Sequence, residues 1–213
     1  MNQFIPETIR FDIENWLQRI EVKNENYRFK FCEKGDLVPI QKNEGLVSTV
    51  FTCKVAYQIG LWEKWSRGKK DNIIKFISKQ QNTDGLFIDK WLLNHSKIKV
   101  KEYVKILLGR LNYYNLKNYY SDYIERNIRA ETRQNISTLI MLNSRPLYAP
   151  SLNFKNSEEC LNFLKNLDWS KPWGAASHLS HILMLISVNK LLKSKIIDYD
   201  SITETIMSFL KKI

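Results

Sequence analysis

Two histidines three residues apart, His178 and His181, lie in "WSKPWGAASHLSHILMLISVN" (169–189), at the head of an otherwise apolar stretch. On a helix that spacing puts both rings on one face, one turn apart. A carboxylate, Glu131, holds a similar place ahead of another apolar stretch, with Arg133 and Gln134 beside it. Imidazole titrates near neutral pH, so such a set can move protons, one histidine acting as base or acid and the carboxylate as its partner. Two histidines and a carboxylate can also ligate a metal, but HxxH without a fixed third ligand is unspecific, and no metal or other cofactor is expected. The third reading is structural: polar groups inside apolar elements bond to one another and to helix ends, holding neighbouring helices in register.

The catalytic candidates are therefore His178, His181 and Glu131. Arg133 and Gln134 are candidate clamps for an oxyanion or hydroxyl, Ser48, Thr49 and Ser177 add hydroxyls, and Trp173, with Trp169, offers an aromatic surface on which a sugar or prenyl group can stack.

Three elements must position these residues. The segments 45–60, 129–144 and 174–189 are apolar or small around most of their circumference, which predicts helices buried on nearly all sides. In each, polar residues gather in the expected first turn: Ser48 and Thr49, then Glu131 to Gln134, then Ser177 to His181. Laid over one another without gaps, the segments put Ser48, Thr132 and Ser177 in one register and Gly60, Ser144 and Asn189 in another. First turns also carry free N–H groups and the positive end of the helix dipole, suited to an anion.

Between the buried helices lie amphipathic ones. Ile13, Trp16, Leu17 and Ile20 form one apolar stripe; Ile73, Ile74 and Ile77 another, with Lys69, Lys70, Lys75 and Lys79 supplying surface charge. Cys160, Leu161, Leu164 and Leu167 repeat the pattern, as do Ile202, Ile206, Phe209, Leu210 and Ile213, the last helix being capped through Asp200 or Ser201. No strand pattern competes. Residues 32–45 and 81–97 read as connections, the second turning at Asp84-Gly85, and the tyrosine-rich stretch 111–125 as packing helices. Alternating surface and buried helices define an all-α chain, an α/α-toroid-like stack of αα-hairpins, partial or open, forming a single domain over 1–213.

The totals narrow the function classes. The 213 residues carry a net charge of +11, but the lysines are spread over several helix faces without a nucleic-acid motif, so nucleic acid ranks last among partners. No signal pattern and no run long enough for a transmembrane segment is present, so a cytoplasmic protein is expected. Cys53 and Cys160 fall on apolar faces and read as buried reduced thiols.

The stretch "FISKQQNTDGLF" (76–87) resembles the QW repeat of terpenoid cyclases, a motif shared across the α/α-toroid superfamily that includes protein prenyltransferase β-subunits. The resemblance rests on Phe76-Ile77, Gln81, Asp84-Gly85 and the aromatic Phe87. It implies that Gln81 satisfies backbone groups at the end of an outer helix, Gly85 permits a tight turn and Phe87 packs over the junction. The DxDD and DDxxD motifs of those enzymes have no counterpart here. Three or four hairpins in place of a toroid's usual six imply an open end, covered by a second copy or a partner subunit. The expected function is a pocket-bearing enzyme or binding protein for a glycan or lipid-linked, anionic small-molecule precursor; the alternative is a noncatalytic helical-repeat scaffold or partner-binding protein.

Overall fold

The computed structural model describes residues 5–25, 27–34, 45–88, 113–194 and 198–212, with backbone only for 113–123. Among the described residues the chain is helical, with no strands: α1 Glu7–Ile20, α2 Leu46–Gln58, α3 Leu61–Lys64, α4 Arg67–Ser78, α5 Tyr113–Met141, α6 Ser157–Lys165, α7 Pro172–Leu191 and α8 Tyr199–Leu210. They belong to two compact units. The first gathers described residues of Met1–Asn82 and Phe87–Pro146, the second those of Thr83–Leu86 and Leu147–Ile213.

In the first unit α2 packs against α3, α4 and α5. Its core takes Leu17 and Ile20 from α1, Leu46, Val50, Cys53 and Ala56 from α2, Ile73, Phe76 and Ile77 from α4, and Ile136 and Leu139 from α5. Each such aliphatic or aromatic side chain contributes about 1.5–3 kcal/mol on burial. In the second unit Phe154, Cys160, Leu164, Leu179, Ile182, Ile186, Ile202 and Ile206 close a separate core among α6, α7 and α8. The stripes legible in the sequence supply both cores, because i, i+3, i+4 spacing aligns side chains on one helix face.

Local chemistry sets the helix ends. Asn156 caps α6 by accepting from Glu159 N–H at 2.9 Å, while Glu159 reaches back to Lys155 N–H at 2.8 Å. Asp198 caps α8, its Oδ1 accepting from Ser201 N–H at 3.1 Å. The cap is therefore Asp198, not Asp200 or Ser201. The helix begins at Tyr199, two or three residues earlier than a cap at Asp200 or Ser201 implies, so the carboxylate that reaches the orphan N–H groups is the earlier one.

Two further expectations shift. Residues 129–144 do not open a helix: they end one that starts at Tyr113 and includes most of the tyrosine-rich stretch. Glu131 to Gln134 consequently lie mid-helix, where the N–H groups are already bonded, and the helix-dipole argument does not reach them. The burial expected on nearly all sides is also incomplete. α7 buries Leu179, Ile182, Leu185 and Ile186 but exposes Trp173, Ala176, Ser180, Leu183, Ser187 and Leu191. Residues 35–44 and 89–97 of the predicted connections lie outside the described residues.

The register is corrected as well. α2 closes on Gly60, α5 on Asn143 and α7 on Lys193, each with a left-handed backbone, φ 74°, 57° and 54°. At α5 and α7 the closure is alike: Ser144 N–H bonds to Leu139 O at 2.8 Å, and Ser194 N–H to Asn189 O at 3.0 Å. The equivalent closing residues are thus Gly60, Asn143 and Lys193, and not Gly60, Ser144 and Asn189. Asn189 sits inside α7, donating to Pro150 O at 2.7 Å and to Leu185 O at 2.9 Å.

Candidate functional site

Polar side chains near the start of α2 and in the middle of α5 meet turns that precede those helices. After α1 the chain doubles back so that Glu21 and Phe29 form an isolated antiparallel bridge; after α4, Gln81 and Phe87 do the same. Both phenylalanines are fully buried, which strands their backbone polar groups away from water. Thr49 Oγ1 accepts from Phe29 N–H at 3.1 Å, and Ser48 Oγ donates to Phe29 O at 2.6 Å. Thr132 Oγ1 accepts from Phe87 N–H at 3.0 Å. Thr49 and Thr132 therefore play the same part, one residue out of step with the ungapped overlay that paired Ser48 with Thr132.

The rest of the α5 cluster is also engaged. Gln134 Oε1 accepts from Lys54 Nζ, which lies 3.0 Å from Ser137 Oγ, so one lysine ties α2 to α5. Burial holds the Lys54 ammonium below its ordinary pKa and does the same to Arg133, which is half-buried. Glu131 is buried, and its carbonyl accepts from Asn135 Nδ2 at 2.8 Å. Arg129 pairs with Glu125 at 2.5 Å.

In the second unit His181 is buried and His178 half-buried, with its ring 6.4 Å from that of Phe163. Ser177 is half-buried, and its carbonyl accepts from Ser180 Oγ at 3.2 Å. Trp169 is spent on packing: Nε1 donates to Leu164 O at 2.8 Å and the ring lies 5.6 Å from Phe209. Trp173 is 91% exposed. The candidates thus divide between the units, with Ser48, Thr49, Glu131, Arg133 and Gln134 in the first, and Trp173, Ser177, His178 and His181 in the second. Among the described residues no three His, Cys, Asp or Glu side chains are grouped to hold a metal.

A cleft of about 270 Å³ opens elsewhere in the first unit, lined by Glu14, Leu17 and Gln18 of α1, by Glu21 just past its end, by Phe29, by Leu61 and Lys64 of α3, and by Trp65 and Lys69. Glu21 pairs with Lys69 at 2.6 Å and Glu14 with Lys64 at 3.2 Å. The Lys69 ammonium lies 4.6 Å from the Trp65 ring centroid and 5.3 Å from that of Phe29. Trp65 and Phe29 stack at 5.7 Å with 11° between planes.

Sequence reading gave Lys69 to the solvated face of α4; its side chain is only 16% exposed, drawn in by Glu21 and the two rings. A signal for this cleft existed. Glu14, Gln18 and Glu21 recur at i, i+4 and i+7, a polar stripe beside the apolar one that runs along α1 to the residue closing it.

Among the described residues no helix is long and apolar enough to cross a membrane. No known family model, curated protein or solved structure matches the chain.

Proposed function

We propose that this chain is a noncatalytic helical-repeat protein that binds a ligand or partner without transforming it. One observation carries the reading: Thr49 and Thr132, at corresponding places in the two repeats, spend their hydroxyls on the buried N–H groups of Phe29 and Phe87. A hydroxyl committed to a buried backbone group stabilises the fold and is withdrawn from chemistry. Gln134 is engaged as well, through a side-chain bond from Lys54. Each repeat is then an outer helix, a bridged turn ending in a buried phenylalanine, and an inner helix whose threonine locks that turn. Within this proposal the repeats are hairpins of an α/α-toroid-like stack, the open end is covered by a second copy or a partner subunit, and the protein works in the cytoplasm.

Replacing the lock tests the reading. Thr49→Val and Thr132→Val keep the side-chain shape but leave a buried N–H unpaired, so each should destabilise by about 1–3 kcal/mol in urea unfolding. Glu131→Ala and His181→Ala should lower stability as well, because both side chains are buried in packed helices. An acid–base centre predicts the opposite for that pair: stability level or improved on removing residues held for catalysis. Unchanged or raised stability across all four variants would refute the scaffold reading.

A further inference from the structure

We propose that the cleft between α1, α3 and the start of α4 binds a neutral sugar unit, one pyranose ring of a glycan. The proposal rests on reading the chain as a binding protein and assigns that protein its site. The cleft holds two carboxylates and two ammonium groups already matched to each other, Glu14 with Lys64 and Glu21 with Lys69. A ligand with net charge would have to break the shielded Glu21–Lys69 pair, displace the more solvated Glu14–Lys64 pair, or enter with its own charge uncompensated, and the first and last of these are costly in a half-buried site. A neutral ligand meets neither cost.

The donors and acceptors left over favour hydroxyl groups. A carboxylate offers about four acceptor positions and an ammonium three donors, so each pair retains unused capacity of both kinds. Gln18, on the same α1 face, adds an amide that donates and accepts. A hydroxyl does both, and a ring bearing several can bridge the pairs without displacing them. Glu14 and Glu21 are two turns apart, a rise of about 10 Å, which spans one sugar ring with its substituents.

Apolar surface for the ring's C–H face comes from the half-buried Leu61 and Trp65. At about 270 Å³ the cleft falls just under the range usual for drug-sized ligands, and suits a single ring. Lys64 at its edge is 61% exposed, so neighbouring units of a chain can continue into solvent.

The test titrates the full chain by calorimetry with glucose, galactose, mannose, N-acetylglucosamine and their disaccharides, with glucuronate and glucosamine as charged comparators. At least one neutral sugar should bind, with an affinity insensitive to salt, since no counterions are exchanged. Trp65→Ala should weaken it by roughly 10-fold or more. Because Trp65 also packs on Phe29 and Trp62, Gln18→Ala and Glu14→Gln serve as milder variants; each should weaken binding while leaving the melting temperature in place.

Binding by none of the neutral sugars, binding of the charged comparators alone, or affinity unchanged in all three variants would overturn the site. The bound sugar is then recovered and analysed by chromatography. A sugar bound but chemically altered would refute the noncatalytic reading and leave the site standing, whereas absence of binding refutes the site alone.

Discussion

Alanine at position 85 is expected to disrupt the turn that follows α4. Gly85 has φ +83°, and a Cβ built on it would lie 2.3 Å from Pro150 Cα, 2.5 Å from Pro150 N and 2.8 Å from the carbonyl carbon of Ala149. All three are backbone atoms, so no side-chain rotation relieves the overlap. The left-handed conformation alone costs a non-glycine residue about 1–2 kcal/mol. To make room the 149–150 segment must withdraw, straining the bond from Ser151 N–H to Asp84 O at 3.2 Å and that from Asn189 Nδ2 to Pro150 O at 2.7 Å. Losing both adds about 2 kcal/mol at ordinary net values, for a total of about 3–4 kcal/mol.

Urea unfolding followed by circular dichroism reads this directly. Gly68→Ala is the internal control: nothing lies within 4 Å of a Cβ there and the residue is helical, so stability should hold or rise by about 0.5–1 kcal/mol. Asparagine tolerates left-handed backbone but keeps the Cβ, so the gap between Gly85→Asn and Gly85→Ala isolates the backbone part. If Gly85→Ala unfolds within about 0.5 kcal/mol of the parent, the close approach of Pro150 to this turn is wrong.

Lys193, at φ 54° just past α7, carries the same left-handed backbone cost. Lys193→Gly should raise stability by about 1 kcal/mol, and a fall in the urea midpoint would contradict the left-handed closure. The thiols give a pH signature. Burial pushes Cys160 up to about 11 from an ordinary 9.0, and raises Cys53 further still. Both should therefore resist iodoacetamide in the native chain at about pH 8 and react once it is unfolded. A raised native pKa means the native state keeps a proton that the unfolded state sheds, so stability should decline as pH climbs from 9.0 towards 11. The decline should flatten in Cys160→Ala; an identical slope there would exclude that thiol as the cause.

Much of this protein was legible in the chain as written. The all-α class, the amphipathic stripes of α1, α4, α6 and α8, and the burial of Cys53 and Cys160 follow from i, i+3, i+4 periodicity, a local property that a sequence displays openly. The Asp84-Gly85 turn was legible too: Asp84 Oδ1 accepts from Leu86 N–H at 2.9 Å, a contact that two residues make between themselves. Of the candidate site, the residue types and their concentration ahead of apolar stretches were visible, and so was the polar stripe that proves to line the α1 cleft.

What the sequence could not reveal was what each polar group would face. Thr49 and Thr132 look alike on paper, each a hydroxyl in the polar cluster of an otherwise apolar segment; tertiary packing buries Phe29 and Phe87 against them and turns both into locks. Lys69 carries the same charge as Lys75, yet only the approach of Glu21, Phe29 and Trp65 draws it inward. The sequence by itself determined that these segments are helical, though not where each helix starts, because helix formation is settled within a few turns of chain. The structure alone decided which side chains are spent on the fold and which line a cleft, because a hydrogen-bond partner 20 or 45 residues away leaves no trace in local spacing.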